Sequence, residues 1–505
     1  METKVNSLVM RNQHPEAFLF AIIWEMKLKR LLSEVKFIKT TGDLNKNITK
    51  VSDNSKKSCE NSIFVAIKGL NFDGHKHIRE AIKNGAVAVI YDSDIPNYLI
   101  KTSANVSFIK VKNSRKALAE IASNFYGNPS RLLNIVGITG TNGKTSTCEF
   151  TYQILRLMGK KVGLISTIGA KYKNKVIETG FHVTTPEPLE LHKILKTMVK
   201  NGCKYVVLEV TSHALDQHRT WGINFDICGI TNITPEHLDY HHTLGSYIKT
   251  KAKIFEQSNR ILINRYDPSF EKLIKYIPNN KRCDIVDYKN YKYPQKFTDM
   301  FPGEHYKQNA AFALQLVKEI CSKSSWGSGL DTRKLNDSLS HLKNITGRME
   351  YVRRKDPCDV MIDFAHDQTS LKETLTTVRN LTKGRLIVVF GSAGLRDKEK
   401  RPLMGRVAGE NADLAVVTAE DPRTESLSKI NKSIEKGLVQ AGGVRDKSYF
   451  IIEDRQKAIG YAIKKLAKKG DLVIITGKGH ENSMCFGKVE HPWSDFEAVR
   501  KVLKK

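Results

Sequence analysis

The chain of 505 residues lacks any apolar run long enough to cross a bilayer. Its most membrane-like stretch, AFLFAIIW at 17–24, is far shorter than the ~20 residues a spanning helix needs. No small-residue cleavage site follows it; Glu25 and a lysine-rich stretch come next, which argues against a signal peptide. The eight cysteines (Cys59, Cys148, Cys203, Cys228, Cys283, Cys321, Cys358 and Cys485) form no CxxC pair, so neither a zinc knuckle nor a disulfide framework is predicted. Reduced thiols in a cytoplasmic protein are expected instead. There is no arginine-rich tail, no repeated aromatic–basic pattern, no internal repeat and no low-complexity tract. Acidic residues are scarce: 53 stand against 82 basic ones, a formal charge of +29. The excess is spread as single lysines. It fits a solvated lysine-rich surface, and it also fits anionic small substrates or nucleic acid.

An apolar content of 40% supports ordinary cores, and the length predicts about three domains. Short apolar runs recur at 62–67, 86–91, 204–210, 226–231, 385–391, 413–419 and 471–477, with helical periods such as 370–381 and 456–469 between several of them. That alternation predicts an α/β fold whose parallel sheets are covered on both faces. Boundaries are expected near Ser130 and near Ile345, giving an N-terminal α/β domain, a central nucleotide-binding domain and a C-terminal doubly wound domain. Ligands of such sheets sit at the carboxyl ends of strands.

The segment RLLNIVGITGTNGKTST, 131–147, carries the strongest signal. An apolar strand runs into a turn with Gly140 and Gly143, then Lys144, Thr145 and a helical pattern from Thr147 to Met158. Glycines let backbone N–H groups converge on a polyphosphate, a lysine meets the outer phosphates, and a threonine hydroxyl suits Mg²⁺. The common spacing places a glycine where this chain has Ile138.

Other candidates lie at strand ends. Glu209 closes 204–210, where a Mg²⁺-organising carboxylate belongs; a helix cap or a surface acid also fits it. The loop TNITPEHLDYHH, 231–242, gathers His237, Asp239, His241 and His242, which fits either a functional site or a polar capping loop. On the helical segment 247–256, Tyr247, Lys251 and Phe255 share a face. Lys251 there reads either as a snorkelling side chain or as a lysine that takes up CO₂ to become an anionic Mg²⁺ ligand. Three loops in the C-terminal third bring Arg396, Lys398, Arg401, Arg423 and Lys478 toward one expected basic rim suited to a carboxylated or phosphorylated ligand.

Together these strings resemble the Mur ligases, and most closely their MurE branch of UDP-N-acetylmuramoyl-dipeptide:diamino-acid ligases. The likeness runs from Met26 to Lys505. It rests on GTNGKTST, TTPE (184–187), EVTSHALDQHR (209–219), TNITPEHLDYH (231–241), YxxxK (247–251), GRME (347–350), DFAH (363–366), RDKEKRP (396–402), DPR (421–423), GKGHE (477–481) and HPWSD (491–495). The GTNGKT spacing is the variant these ligases carry, so Ile138 no longer counts against the loop. Family members begin with a stretch like MKLKRLL, so residues 1–25 are expected to be an upstream extension.

The resemblance implies a UDP-binding domain over 26–129, a central ATP-binding domain over 130–345 and a C-terminal Rossmann-like amino-acid domain over 346–505. It implies an ATP-dependent, Mg²⁺-requiring ligase of peptidoglycan synthesis and cell-wall biogenesis that works through an acyl phosphate. Gly140, Thr141, Asn142, Gly143, Lys144, Thr145 and Ser146 would cradle ATP, with Asn309 at the adenine and Arg348 and Asp363 reaching over it. Thr145, Glu209, His237 and a carbamylated Lys251 would form the metal sites. Thr184, Thr185, Thr211, Gln217 and Arg219 would contact the muramoyl-dipeptide, and Ser55 its UDP moiety. Arg396, Asp421, Arg423, Gly477 and Glu481 would receive a free diamino acid. A cytoplasmic monomer, with no stable nucleic-acid partner and no membrane span, is expected.

Several positions depart from the family pattern. Asn54-Ser55-Lys56 replaces DSR, Tyr306 replaces an asparagine, and Thr211 replaces a serine while keeping the hydroxyl. Where meso-diaminopimelate enzymes carry DNPR, this chain has Glu420-Asp421-Pro422-Arg423. The retained Arg423 suits a distal carboxylate and favours meso-diaminopimelate. The anion Asp421 would suit a distal ammonium, which leaves lysine open. Two alternatives differ in class: another amide ligase of the Mur/folylpolyglutamate superfamily, and a basic nucleic-acid-binding protein with a vestigial nucleotide site.

Overall fold

The computed structural model describes residues 26–504 apart from 70–71, 178, 180–182, 323–330 and 356–357. The expected extension, 1–25, and the apolar stretch within it lie outside the described residues. Among the described residues no helix is long and apolar enough to cross a membrane. The chain divides into two compact units, the first ending at Asn128 and the second running from Pro129 to Lys505.

In the first unit a five-stranded sheet has the spatial order Phe37–Thr41, Ser107–Val111, Ala86–Tyr91, Ser62–Val65, Lys50–Ser52. All neighbours are parallel except the first pair. Phe64, Val89, Tyr91 and Phe108 pack against Ile78 and Ala81 of the helix Ile78–Lys83.

The second unit holds two further large sheets and a two-stranded one, Ser483–Phe486 with Val489–Pro492. The first has eight strands, in the order Lys175–Ile177, Gly169–Tyr172, Val162–Ser166, Tyr205–Glu209, Asn134–Thr139, Ile227–Ile230, Arg260–Asn264, Arg282–Val286. Alternation along Asn134–Thr139 shows how both faces are covered. Val136 and Ile138 pack with Phe150 and Ile154 of the helix Lys144–Leu157 and with Phe312 of the helix Glu304–Ser322. Ile135 faces the opposite core, with Leu191 and Leu195 of Pro188–Lys200 and Ile254 of Leu244–Glu256.

The second sheet has six strands: Glu350–Lys355, Cys358–Ile362, Asp471–Ile475, Leu386–Phe390, Leu414–Val417, Tyr449–Ile451. Gln368–Leu381 covers one face, and Arg455–Tyr461 with Asp495–Lys504 the other.

The expected strands all form, but none of the three large sheets is wholly parallel. Each has an antiparallel edge: Phe37–Thr41, the hairpin Gly169–Tyr172/Lys175–Ile177, and Glu350–Lys355. The helical period expected over 456–469 ends as a helix at Tyr461, followed by a π-helical turn, Ala462–Leu466.

Candidate functional site

The carboxyl ends of both sheets in the second unit open on a cavity of about 470 Å³. The glycine-rich loop leaves Asn134–Thr139 and enters its helix at Lys144, three residues earlier than the apolar period indicates. Gly140 has φ +151°, and a Cβ there would lie 1.9 Å from Thr231 Oγ1. Gly143, at φ +76°, would place one 2.3 Å from Asn309 Oδ1. A side chain at either position would be strained. The loop is tied to its neighbour: Thr141 N donates to Asn232 O (2.7 Å), Asn142 N to Asn232 Oδ1 (2.9 Å), and Thr231 Oγ1 to Asn142 O (2.7 Å). The first-turn residues Lys144, Thr145 and Ser146 line the cavity, and the first N–H groups of a helix have no partner within it, as at an anion site. Asn142 Nδ2 and Arg348 Nε, in the cavity-lining residues, are buried donors with no hydrogen-bond partner among the described residues.

Glu209 is buried at its strand end, neither a helix cap nor a surface acid. Its Oε1 accepts from Thr145 Oγ1 (3.0 Å) and Thr167 Oγ1 (3.1 Å), and its Oε2 from Thr167 N (3.1 Å). The helix cap nearby is Thr211, whose Oγ1 accepts from Ala214 N. The Thr145 hydroxyl and Glu209 carboxylate are adjacent hard oxygen donors, a set that fits Mg²⁺.

Lys251 does not snorkel. It is 1% exposed, and its Nζ donates to Gly140 O at 2.6 Å while lying 4.6 Å from the centroid of the Tyr247 ring. Burial, with the Lys144 charge beside it, pushes the Lys251 amine well below the usual lysine range. Lys144 Nζ itself donates to Thr141 O (2.6 Å). His237 sits at φ +55°, half-buried, with Nε2 3.8 Å from Glu236 Oε2. Burial keeps its imidazole below the ordinary value against the pull of Glu236. Of the other loop candidates, Asp239 lines the cavity, and His241 Nε2 meets Ser212 Oγ at 3.0 Å.

Arg348 stacks over Phe364 (4.4 Å), and its Nη2 donates to Thr145 Oγ1 (3.1 Å). Asp363 accepts from Met349 N (2.8 Å), Ala365 N (2.8 Å) and Thr374 Oγ1 (3.1 Å), so it braces the turn that carries Arg348. Asn309 Oδ1 accepts from Thr147 Oγ1.

Thr184, Thr185, Thr211 and Arg219 line the same cavity. Thr185 Oγ1 donates to Glu209 O (2.8 Å), and Arg219 Nη1 to Thr185 O (2.9 Å). Gln217 is not in the cavity wall; its Oε1 accepts from Arg219 Nη2 at 2.9 Å. Ser55 belongs to the first unit, where its hydroxyl donates to Glu80 Oε2 (2.6 Å).

The expected five-cation rim is smaller than the sequence indicates. Arg396 and Arg423 line the cavity, as do Asp421, Gly477 and Glu481, while Lys398 does not. Arg401 is 2% exposed and forks onto Glu425 (2.7 and 2.8 Å). Lys478 is buried against Asp421 and Glu481. An unpaired buried cation is costly, so each took the acid that folding brought to it. Asp421 therefore meets a lysine of its own chain.

Sequence reasoning missed Glu236, His366 and Lys400. Glu236 Oε1 lies 3.3 Å from His366 Nε2, and His366 Nδ1 lies 3.1 Å from Phe364 O. Acceptors on both ring nitrogens suit an imidazolium, and the pKa of His366 is raised: burial pulls it down, but the hydrogen bond and charge of Glu236 with the charge of Asp367 together more than offset that. Lys400 Nζ donates to His366 O (2.9 Å). Glu236, His366 and Asp367 bring ligating atoms within 4.8 Å of one another, but the Asp367 carboxylate caps Gln368–Leu381. The signal for the first two stood in TPEH and DFAH, where only His237 and Asp363 were singled out.

The description "Mur ligase middle domain" matches residues 138–319, "Mur ligase, glutamate ligase domain" 347–479, and "Mur ligase family, catalytic domain" 47–126. The chain is 37% identical over 494 residues to UDP-N-acetylmuramoyl-L-alanyl-D-glutamate--2,6-diaminopimelate ligase 1 of Clostridium acetobutylicum, covering 95% of this chain and 100% of that protein. It is 38% identical over 472 residues to the corresponding ligase of Aquifex aeolicus, covering 91% of this chain and 94% of that one. A solved structure of such a diaminopimelate ligase shares the fold, with a TM-score of 0.61 at 24% identity over 95% of this chain and 99% of that one.

Proposed function

Because the chain belongs to the Mur ligase family, we propose that it is an ATP-dependent ligase adding meso-2,6-diaminopimelate to UDP-N-acetylmuramoyl-L-alanyl-D-glutamate in peptidoglycan synthesis. One observation carries this reading: a single cavity is lined by the glycine-rich loop with Thr145 and Glu209 and also by Arg396, Arg423 and Glu481. The alternatives of a folate-type ligase and of a nucleic-acid binder have no comparable support.

A carboxylate is a poor electrophile at neutral pH. Transfer of the γ-phosphoryl group of ATP to the acceptor's terminal carboxylate gives an acyl phosphate and ADP. The free amine of the diamino acid then attacks the carbonyl carbon, loses its proton, and inorganic phosphate leaves. The protein supplies positioning and charge neutralisation. In this reading Lys144 and the first-turn N–H groups hold the phosphates. Gly140, Thr141, Asn142, Gly143 and Ser146 shape the loop, and Asn309, Arg348 and Asp363 face the nucleotide. Thr145, Glu209 and His237 would hold Mg²⁺, which would supply neutralisation of phosphate charge. Burial favours the uncharged Lys251 amine, the form that would add CO₂, and its carbamate would be a further metal ligand. Thr184, Thr185, Thr211, Gln217 and Arg219 would hold the muramoyl-dipeptide; Ser55, in the first unit, would contact the UDP moiety; Arg396, Arg423, Gly477 and Glu481 would hold the diamino acid. A cytoplasmic enzyme acting as a monomer fits this role.

With UDP-muramoyl-dipeptide, ATP and Mg²⁺, phosphate release is expected to depend on meso-diaminopimelate. If neither it, lysine nor ornithine stimulates release, the reading fails.

A further inference from the structure

Asp421 stands in the loop after Leu414–Val417, and Lys478 in the loop after Asp471–Ile475. Lys478 is wholly buried. Its Nζ donates to both carboxylate oxygens of Asp421, at 2.9 and 3.0 Å, and pairs with Oε2 of Glu481. Burial alone would favour the neutral amine; Glu481 and Asp421 reverse this and hold the ammonium above the usual lysine value.

The grip on Asp421 shapes the cavity wall. Asp421 and Arg423 have φ of +42° and +53°, a backbone that side-chain-bearing residues keep only when their surroundings impose it. Asp421 Oδ1 also accepts from Cys485 N (2.9 Å), Asp421 O accepts from Gly394 N (2.9 Å), and Arg423 N donates to Cys485 O (3.1 Å). Gly394 belongs to the loop that presents Arg396. Lys478 thus lies behind a wall on which Asp421, Glu481, Arg396 and Arg423 all face the cavity. Behind that wall one ammonium is shared by two carboxylates, and beside it stand two guanidiniums.

We propose that Lys478 is a specificity-determining positioning residue: by holding Asp421 and sharing the charge of Glu481, it sets the local charge so that an amino acid with a distal carboxylate is selected over one with a distal ammonium alone. This rests on the ligase reading above. It accounts for the departure from DNPR. The aspartate at 421 adds no free anion to the pocket, because Lys478 takes up its charge. The distal centre of meso-diaminopimelate carries both an ammonium and a carboxylate, whereas that of lysine carries only the ammonium. The two substrates differ by the charge that Lys478 adjusts.

The test compares full-length wild type, Lys478→Met, Asp421→Asn and the double variant. The measurement is kcat/KM for meso-diaminopimelate and for L-lysine, with the KM for ATP as a control. Lys478→Met is expected to lower the diaminopimelate-to-lysine ratio at least about tenfold, within the range a changed pocket contact commands. Asp421→Asn, near-isosteric and able to stand alone should Lys478→Met not fold, is expected to raise the ratio. The double variant, restored in net charge, is expected to return toward the wild-type ratio, with the KM for ATP unchanged throughout. A merely structural lysine would depress both substrates in parallel and gain nothing from Asp421→Asn, and that result overturns the proposal. A wild type that uses neither amino acid refutes the ligase reading and this assignment together. A wild type that uses one, with a ratio the variants do not move, refutes only this assignment.

Discussion

Lys251 and Arg401 are two buried basic groups with different settlements. Among the described residues Lys251 has carbonyl and ring partners but no carboxylate at hydrogen-bond distance, which suits a group that would become an anion. Lys251→Ala is expected to lower kcat at least about 100-fold, as loss of a preorganised electrostatic group does, with the melting temperature little changed. Near-normal turnover in steady-state assays would remove its catalytic role. Arg401 instead neutralises Glu425, whose carboxyl is held down to about 2 chiefly by the Arg401 hydrogen bonds. A depressed carboxyl contributes stability above its unfolded pKa and loses it as pH falls toward the folded value. The melting-temperature gap between wild type and Glu425→Gln is therefore expected to be full at pH 7 and to shrink between about pH 4.3 and pH 2. Local strings exposed Lys144, Glu209, His237 and Lys251, because each sits in a short motif whose chemistry is recognisable by itself. Arg401 and Lys478 were misread as rim cations because Glu425 and Asp421 lie 24 and 57 residues away and meet them only through the fold, although the second acid of Lys478, Glu481, stands in the same motif.

At the scale of elements, the loop and its helix act as one device. Helix Lys144–Leu157 starts directly at the lysine because Gly143, in the left-handed region, serves as its N-cap. The apolar period could not show this, since its first residues face the cavity rather than a core. Gly143→Ala forces a Cβ against Asn309 and adds ~1 kcal/mol of backbone strain. It is expected to raise the KM for ATP about tenfold, the equivalent of ~1.4 kcal/mol in binding, with a smaller effect on the KM for the muramoyl-dipeptide. Equal effects on both would argue against a phosphate-cradling loop. The antiparallel edges were not legible either. Pairing direction at a sheet edge depends on which strand lies alongside, and a hairpin such as Gly169–Tyr172/Lys175–Ile177 turns through Lys173 at φ +53° with no glycine to announce it.

At the scale of the whole molecule, the two large sheets of the second unit share one buried cluster, and each sheet has a separate cluster on its other face. Leu164 and Phe312 of its first sheet layer belong to the same buried cluster as Met361, Leu375 and Val388 of the second. This predicts that calorimetry resolves one transition for the unit from Pro129 onward, and that a non-hydrolysable ATP analogue raises that transition alone. At 100 times its dissociation constant the ligand should add about 2.7 kcal/mol. A shift of the first unit's transition as well, or an unshifted second one, would contradict the placement of the nucleotide site. The sequence by itself determined the alternation of strands and helices, the glycine-rich loop and the motif residues at strand ends, because propensity, period and motif spacing are local properties. Only the tertiary structure decided which charges face the cavity and which cancel inside the wall, because Lys478 meets Asp421, Arg401 meets Glu425 and His366 meets Glu236 through contacts between separate loops, where burial makes pairing obligatory.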